Sequence, residues 1–355
     1  MWAEAYLGGR HATDLLDVTN DIAALESSGW WAVVVTFEGE VTCARFADVR
    51  TQQPQRHGAW VGPSTEGWTT SMNRQTYVDA VSEVRRRISL GDVYQANICR
   101  LLETPLPDPE AADIVALSWL LNRGNPAPYE GYVRLPDSAH PMLPAGGVQI
   151  ATASPEQFIK REGSYVESSP IKGTGRTEAD LLPKDEAENV MIVDLVRNDM
   201  SPFCKVGTVE VPSLLRVEEH PGLVHLVSTV SGTLVDGAGW PEILESAFPP
   251  GSVTGAPKSS ALRIIDDLER AARGPYCGAI GWVDADTKCG ELAVGIRTFW
   301  LDGASTRGEQ HTTVKFGTGA GITWSSDPER EWEETELKAA RLLSVASQSI
   351  KRRQL

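Results

Sequence analysis

The sequence predicts an α+β fold, with large mixed or antiparallel β-sheets and helices packed outside them. Three observations point there. Apolar β-runs recur between helical patterns along most of the chain. Several of these runs sit next to one another, joined by turns such as Asp284-Ala285-Asp286-Thr287 and Asp302-Gly303. That is hairpin connectivity rather than the long crossover of parallel strands. The chain has 355 residues, 41% of them apolar, enough for a large core in one big domain or two modest ones.

Residues 1–68 hold one clear strand, 30–37, between polar loops, and 52–68 are rich in Gly, Pro, Gln and Ser. A helix is expected over 73–90, because Val78, Val81, Val84 and Ile88 share a face and Gly91 can end it. A strand at 93–102 and a helix at 112–122 follow. Further strands are expected at 148–153, 223–234, 278–284, 291–300 and 313–323. Helices are expected at 185–199, 241–247, 257–272 and 328–348. The chain divides into an N-terminal portion, 1–68, packed on the same fold, and a catalytic domain, 69–355.

The formal charge of −15 argues against general binding to nucleic acid or anionic membrane, while leaving room for a local cationic pocket. The five cysteines, Cys43, Cys99, Cys204, Cys277 and Cys289, form no C-x-x-C pair. They read as reduced structural thiols of a cytoplasmic protein. The start, MWAEAYLGGR, has no signal pattern, and no apolar run is long enough to span a bilayer.

Four segments could carry chemistry. In KDEAENVMIVDLVRND, Asp185 and Glu188 lie one helical turn apart, and Val190, Val193 and Val196 are expected in the core. In DPEREWEETELKAARLL, Glu331, Glu334, Lys338 and Arg341 form one polar stripe. Each pattern by itself is an ordinary charged helix face. Carboxylates from two helices could instead converge on a hard cation. The third segment, PPGSVTGAPK, fails the phosphate-loop spacing, since Gly251 and Gly255 are one residue too close. It still offers Thr254, Lys258 and a helix start at Pro257 suited to a carboxylate. The fourth group is glycine-flanked β-runs around Tyr276, Arg297, Gly319 and Gly321. An arginine inside an apolar β-run needs an anionic partner, either a ligand carboxylate or a structural one. His225, in LVHLVSTV, reads first as a core residue.

Taken in order, GDVYQAN, ASPEQF, SPIKGTGR, AENVMIVDLVRND, VHLVSTVSG, FPPGSVTGAPK, YCGAIGW, GIRT and GAGITWSSDPEREWEETELKA resemble the motifs of the chorismate-utilising enzymes. The resemblance runs from about residue 70 to the end of the chain. It implies an anthranilate-synthase-like sandwich of β-sheets, Mg2+ as cofactor and chorismate as substrate. It also implies roles: Glu188 and Glu334 on the metal, with Asp185 and Glu331 beside them. Arg297, Lys338, Tyr276, Thr254 and the backbone from Gly319 to Gly321 would surround the chorismate carboxylates. His225 would belong to the active site.

Two positions choose among the family's activities. Members that add water carry a lysine where this chain has Gln95, and a glutamine cannot deprotonate water, so the resemblance implies ammonia. Anthranilate synthases typically carry alanine where this chain has Lys172, whereas aminodeoxychorismate synthase component I carries lysine. The resemblance then implies that Lys172 attacks C2 of chorismate while Glu156 protonates the departing C4 hydroxyl. Anthranilate synthase component I is the main alternative, and a non-catalytic chorismate-binding subunit a remote one. No cysteine lies in a G-x-C-x-G turn, so a separate glutamine amidotransferase subunit is expected to supply ammonia. The GTGRTEADLLPKD stretch after Lys172 is shorter than the family pattern.

Overall fold

The computed structural model describes residues 2–54, 58–175, 177–181, 183–220, 223–306 and 309–351. The chain opens with β1 (Glu4–Leu7), β2 (Arg10–Thr19), β3 (Trp30–Val35), β4 (Val41–Arg50) and the short β5 (Thr69–Thr70). Then come α1 (Arg74–Ser89), β6 (Gln95–Pro105), α2 (Ile114–Gly124), β7 (Tyr129–Leu135) and β8 (Val148–Ser154). β9 (Gln157–Glu162), β10 (Tyr165–Ser169) and β11 (Ile171–Gly175) lead into α3 (Pro183–Met200). β12 (Glu210–His220), β13 (Leu223–Thr233), α4 (Trp240–Ala247), β14 (Gly255–Ala256) and α5 (Lys258–Leu268) follow. The chain closes with β15 (Ala279–Asp284), β16 (Cys289–Val294), β17 (Thr298–Thr306), β18 (Glu309–Ile322) and α6 (Pro328–Ala346).

The strand pairings among the described residues are antiparallel, as the hairpin turns predict. β6 and β18 pair over ten residues, from Thr313 opposite Pro105 to Ile322 opposite Ala96. The N-terminal strands belong to the same hydrogen-bonded network: β1 pairs with β7, and β3 pairs with β15 from Trp30 to Val35. Three apolar clusters form the core. One is built around Trp31, Val33, Phe158, Ile280 and Leu292. A second lies under α2 and α6, around Leu117, Phe299, Phe316 and Leu342. A third lies under α1 and α5, around Tyr77, Val84, Ile98 and Ile264. Each such large side chain contributes roughly 1.5–3 kcal/mol by leaving water.

Helix starts follow local chemistry. Asn73 accepts from the Thr76 amide at 2.9 Å to cap α1, and Asp327 accepts from the amides of Glu329 and Arg330 at 3.1 Å to cap α6.

Several expectations need correction. Residues 1–68 carry β1, β2 and β4 besides the one strand expected; β2, RHATDLLDVT, is half-exposed and polar, so periodicity hides it. The expected strand 291–300 breaks into β16 and β17. Gly295 packs on Pro275, where a Cβ would lie 2.1 Å from the carbonyl oxygen, and Arg297 takes a left-handed φ of 52°. Arg297 is thus at a break between strands, not inside one. α5 ends at Leu268, because the Glu269 carboxylate turns to the Arg273 guanidinium. Val190 is exposed rather than core, whereas Val193 and Val196 are buried.

Candidate active site

The site is built on the tight seam between β6, β14 and β18. Gly255 pairs with Ala96 and Ala256 with Gln95. Gly255 has a φ of 142°, and a Cβ on it would stand 2.0 Å from the Gln95 carbonyl oxygen. Only glycine permits this approach. It carries the loop 249–257 up against the start of β6. There Gln95 is fully buried, and neither polar atom of its amide finds a partner among the described residues. An unsatisfied buried amide is costly, which marks the place as one shaped for a ligand.

Lys172, on β11, reaches this place from the other side. Its amine donates to the Ser252 carbonyl at 3.1 Å. Burial pushes its pKa down; Glu156, Glu188 and Glu334 pull it back up, and Lys338 lowers it further. Glu156 is buried at the corner between β8 and β9. Burial pushes its carboxyl above the ordinary range, opposed by the Ser252 hydroxyl, Lys172, the Ile171 amide and Arg297. Lys172 and Glu156 are therefore in one electrostatic environment, with Ser252 bonded to the first and acting on the second.

Carboxylates of α3 and α6 act on one another electrostatically. Burial raises Glu188 on α3, and Asp185 and Glu334 raise it further against Lys172 and Lys184. Burial raises Glu331 on α6, with the Ser326 hydroxyl opposing and Glu334 adding to the rise. Burial alone would raise Glu334 too, but Lys338, Lys184 and Lys172 outweigh it and hold the carboxyl below its ordinary value. Lys338 bridges Glu334 at 2.7 Å and donates to the Gly319 carbonyl at 3.1 Å. Among the described residues no group of three or more His, Cys, Asp or Glu side chains is placed to hold a metal ion. The oxygen-only donor set with two neighbouring carboxylates nevertheless fits Mg2+, which keeps waters and takes ligands from an anionic substrate.

The remaining candidates divide. Arg297 is half-buried, and its pKa is depressed by burial and by the nearby Arg341 guanidinium, with Glu156 opposing. His225 is buried in β13, its backbone opposite Thr174 on one side and Glu218 on the other. Asp185 packs over Gly173, where a Cβ would lie 2.9 Å from the Asp185 Cβ. Thr254 is buried, and its hydroxyl donates to the Pro250 carbonyl at 3.1 Å, which ties the loop together. Tyr276 lies flat under Gly317, which has no room for a Cβ. Lys258 does not join the group: its amine reaches Asp199 and the Ala247 carbonyl, each at 2.8 Å. Arg341 also leaves the stripe, donating to the Gly124 carbonyl at 2.7 Å. Arg176, part of the SPIKGTGR motif, and Leu182 lie outside the described residues.

Sequence reading missed Ser252, whose carbonyl accepts from Lys172 and whose hydroxyl opposes the rise of Glu156. It also missed Asn189, fully buried beside Glu188, whose amide donates to the Leu226 carbonyl at 3.0 Å and accepts from the Ser228 hydroxyl. That pair of bonds pins α3 to β13. Asn189 follows the acidic run Asp185 to Glu188 in sequence, so nothing local marked it as buried.

The profile of chorismate binding enzymes matches residues 26–344. The chain belongs to this family. Its relatives carry two names. The chain is 37% identical over 292 residues to anthranilate synthase component 1 of Haloarcula marismortui, covering 79% of this chain and 55% of that protein. It is 36% identical over 293 residues to aminodeoxychorismate synthase component 1 of Salmonella typhimurium, covering 79% of this chain and 59% of that one. It therefore spans between half and two-thirds of these relatives' length. The fold is that of solved structures of chorismate-utilising enzymes. Anthranilate synthase component I from Streptococcus pneumoniae superposes with a TM-score of 0.73 at 21% identity, over 97% of this chain and 90% of that one. The menaquinone-specific isochorismate synthase from Escherichia coli gives 0.76 at 16%, over 98% and 89%. In this family member, every motif singled out above from residue 91 to residue 339 lies within the matched span.

Proposed function

We propose that the chain is component I of an aminodeoxychorismate synthase, converting chorismate and ammonia to 4-amino-4-deoxychorismate. The observation that carries this reading is the meeting of Lys172 and Glu156 at Ser252, beside the unpartnered amide of Gln95. A nucleophile and a proton donor held together are what a stepwise substitution needs.

The neutral Lys172 amine attacks C2 of the ring, forming a C–N bond. Both double bonds of the ring diene shift, the C4–O bond breaks, and Glu156 gives its proton to the leaving oxygen, which departs as water. Ammonia then adds at C4, both double bonds shift back, the C2–N bond breaks and Lys172 is released. The Glu156 carboxylate takes up the proton lost by the attacking nitrogen. Gln95 offers an amide donor and acceptor for ammonia without a base to activate water. Arg297 and Lys338 bind substrate carboxylates, and Gly319 and Gly321 leave space for the ring. Tyr276 and Thr254 shape the pocket, and His225 supports it from β13. Glu188 and Glu334, with Asp185 and Glu331 beside them, would hold Mg2+, which would neutralise the ring carboxylate and draw electrons from the diene. Ammonia would come from a glutamine amidotransferase partner or from free ammonium.

The relatives named anthranilate synthase, one of them at 37% identity against 36% for one named aminodeoxychorismate synthase, support the second reading, elimination of pyruvate to give anthranilate. Incubation with chorismate, Mg2+ and ammonium separates the two. A non-fluorescent product that a lyase converts to para-aminobenzoate is expected, with a substrate adduct on Lys172 seen by mass spectrometry. Fluorescent anthranilate formed without a lyase would overturn the proposal.

A further inference from the structure

We propose that Ser252 is a positioning residue that aligns the acid with the nucleophile, its carbonyl aiming the Lys172 amine and its hydroxyl holding the Glu156 carboxyl. The proposal rests on the reading of Lys172 and Glu156 given above. Its geometry does not depend on which amine-dependent product forms.

Ser252 is buried in the 3-10 turn Gly251–Val253. That turn is fixed on every side. A Cβ on Gly251 would lie 2.6 Å from the Leu195 side chain of α3, so the turn is wedged against that helix. Thr254 donates its hydroxyl back to Pro250 at 3.1 Å, and the Arg273 guanidinium donates to the Val253 carbonyl at 3.0 Å. Just beyond it, Lys258 is anchored to Asp199. Ser252 is thus a fixed point offered to two flexible side chains.

Its two groups suit the two tasks. A carbonyl only accepts, so the Lys172 N–H bound to it, at 3.1 Å, leaves the nitrogen lone pair free to point at the substrate. Freezing a lysine otherwise costs on the order of 2 kcal/mol of rotamer freedom at the moment of reaction. A hydroxyl can donate to a carboxylate and accept from a carboxylic acid. It can therefore bond to Glu156, with which Ser252 shares a cleft, before and after the proton leaves. Both residues also line the cleft between β9, α3 and the loop 249–257. The charged and titratable groups facing Glu156 are Lys172 from β11, Arg297 from the break before β17, Tyr129 from β7 and, across that cleft, Asp199 from α3.

The test uses Ser252→Ala, Ser252→Thr and the full-length protein labelled with carboxyl-13C glutamate. Glu156→Gln assigns the Glu156 signal. In Ser252→Ala the Glu156 titration midpoint is expected to move up, because a bond favouring the charged form is lost. Under ammonium-dependent turnover kcat should fall about tenfold, the worth of one hydrogen bond to a charged group, with KM for chorismate within about twofold. Ser252→Thr keeps the hydroxyl and should restore both. Ser252→Cys, nearly the same size, repeats the test should the alanine variant unfold. An unmoved Glu156 midpoint, or a loss confined to KM, overturns the proposal. If the wild type makes no aminodeoxychorismate, the functional reading fails, while the carboxyl titration still judges Ser252.

Discussion

The amide of Gln95 lies directly over Gly321: a Cβ on the glycine would stand 2.5 Å from Gln95 Nε2 and 3.8 Å from Lys172 Nζ. The obstruction would be the movable end of a side chain rather than backbone. Gly321→Ala should therefore fold with nearly the wild-type melting temperature while displacing the amide. A misplacement of about 1 Å at a reacting site can cost on the order of 100-fold in rate, and a loss of that size in kcat/KM is expected. Wild-type kinetics in Gly321→Ala would show that Gln95 is not part of the reacting surface.

If the proposed function holds, the Lys172–Glu156 pair sets the pH profile. The reaction needs a neutral amine and a protonated carboxyl, so the competent pair holds one proton, placed on the carboxyl. At the ordinary values of 10.5 and 4.5 that arrangement would be about one in 10^6 of the singly protonated pairs. Burial lowers the lysine and raises the glutamate, and each unit of approach raises the fraction tenfold. The bell in kcat/KM should have its acidic limb above 4.5, where the pair takes a second proton and Lys172 is no longer neutral. Its alkaline limb should lie below 10.5, where Lys172 loses the last proton. Glu156→Gln should remove the alkaline limb, leaving a rate that rises with pH as Lys172 loses its proton, and lower kcat by about 100-fold or more. Limbs at the ordinary values would contradict the buried pairing.

Lys258 and Asp199 are an internal brace, not a substrate contact. Their side chains are 16% and 13% exposed, and burial pushes the Asp199 carboxyl up to about 6 despite Lys258. Asp199→Asn or Lys258→Met leaves a buried charge unpaired and should destabilise by about 3 kcal/mol or more. Asp199→Leu combined with Lys258→Met should cost less than the sum of the singles, measured by urea unfolding. Additive losses, or a Lys258→Met effect confined to KM for chorismate, would reject the brace.

Glu334 and Lys338 form an ion pair whose side chains are 45% and 51% exposed. Such a pair is worth at most about 1 kcal/mol, so Glu334 can exchange Lys338 for a cation at little cost. Titration calorimetry with Mg2+ in the presence of chorismate should show affinity weakened about tenfold or more by Glu188→Gln and by Glu334→Gln. Unchanged affinity in both would remove them as ligands.

The fold class was legible because hairpin turns and helix caps are local. The strand at 30–35 and the helices at 74–89 and 328–346 carry their period in consecutive residues. β2 and β12 were not legible, because each exposes polar residues on one face. The break at Gly295 to Arg297 was hidden as well. It is imposed by Pro275, twenty residues away in sequence, against which Gly295 packs.

The candidate site divides along the same line. Sequence alone determined the chemical inventory: a lysine in SPIKGTGR, a glutamate in ASPEQF, Gln95 and two acidic helices. Residue types in order suffice for that, since motifs record chemistry one segment at a time. Tertiary structure alone decided which groups share a field. It placed Lys172 and Glu156 on Ser252, brought Glu188 beside Glu334, and turned Lys258 away to Asp199. Those outcomes depend on contacts across dozens of residues of chain and on burial, which shifts charge states only once the sheets have closed around the groups.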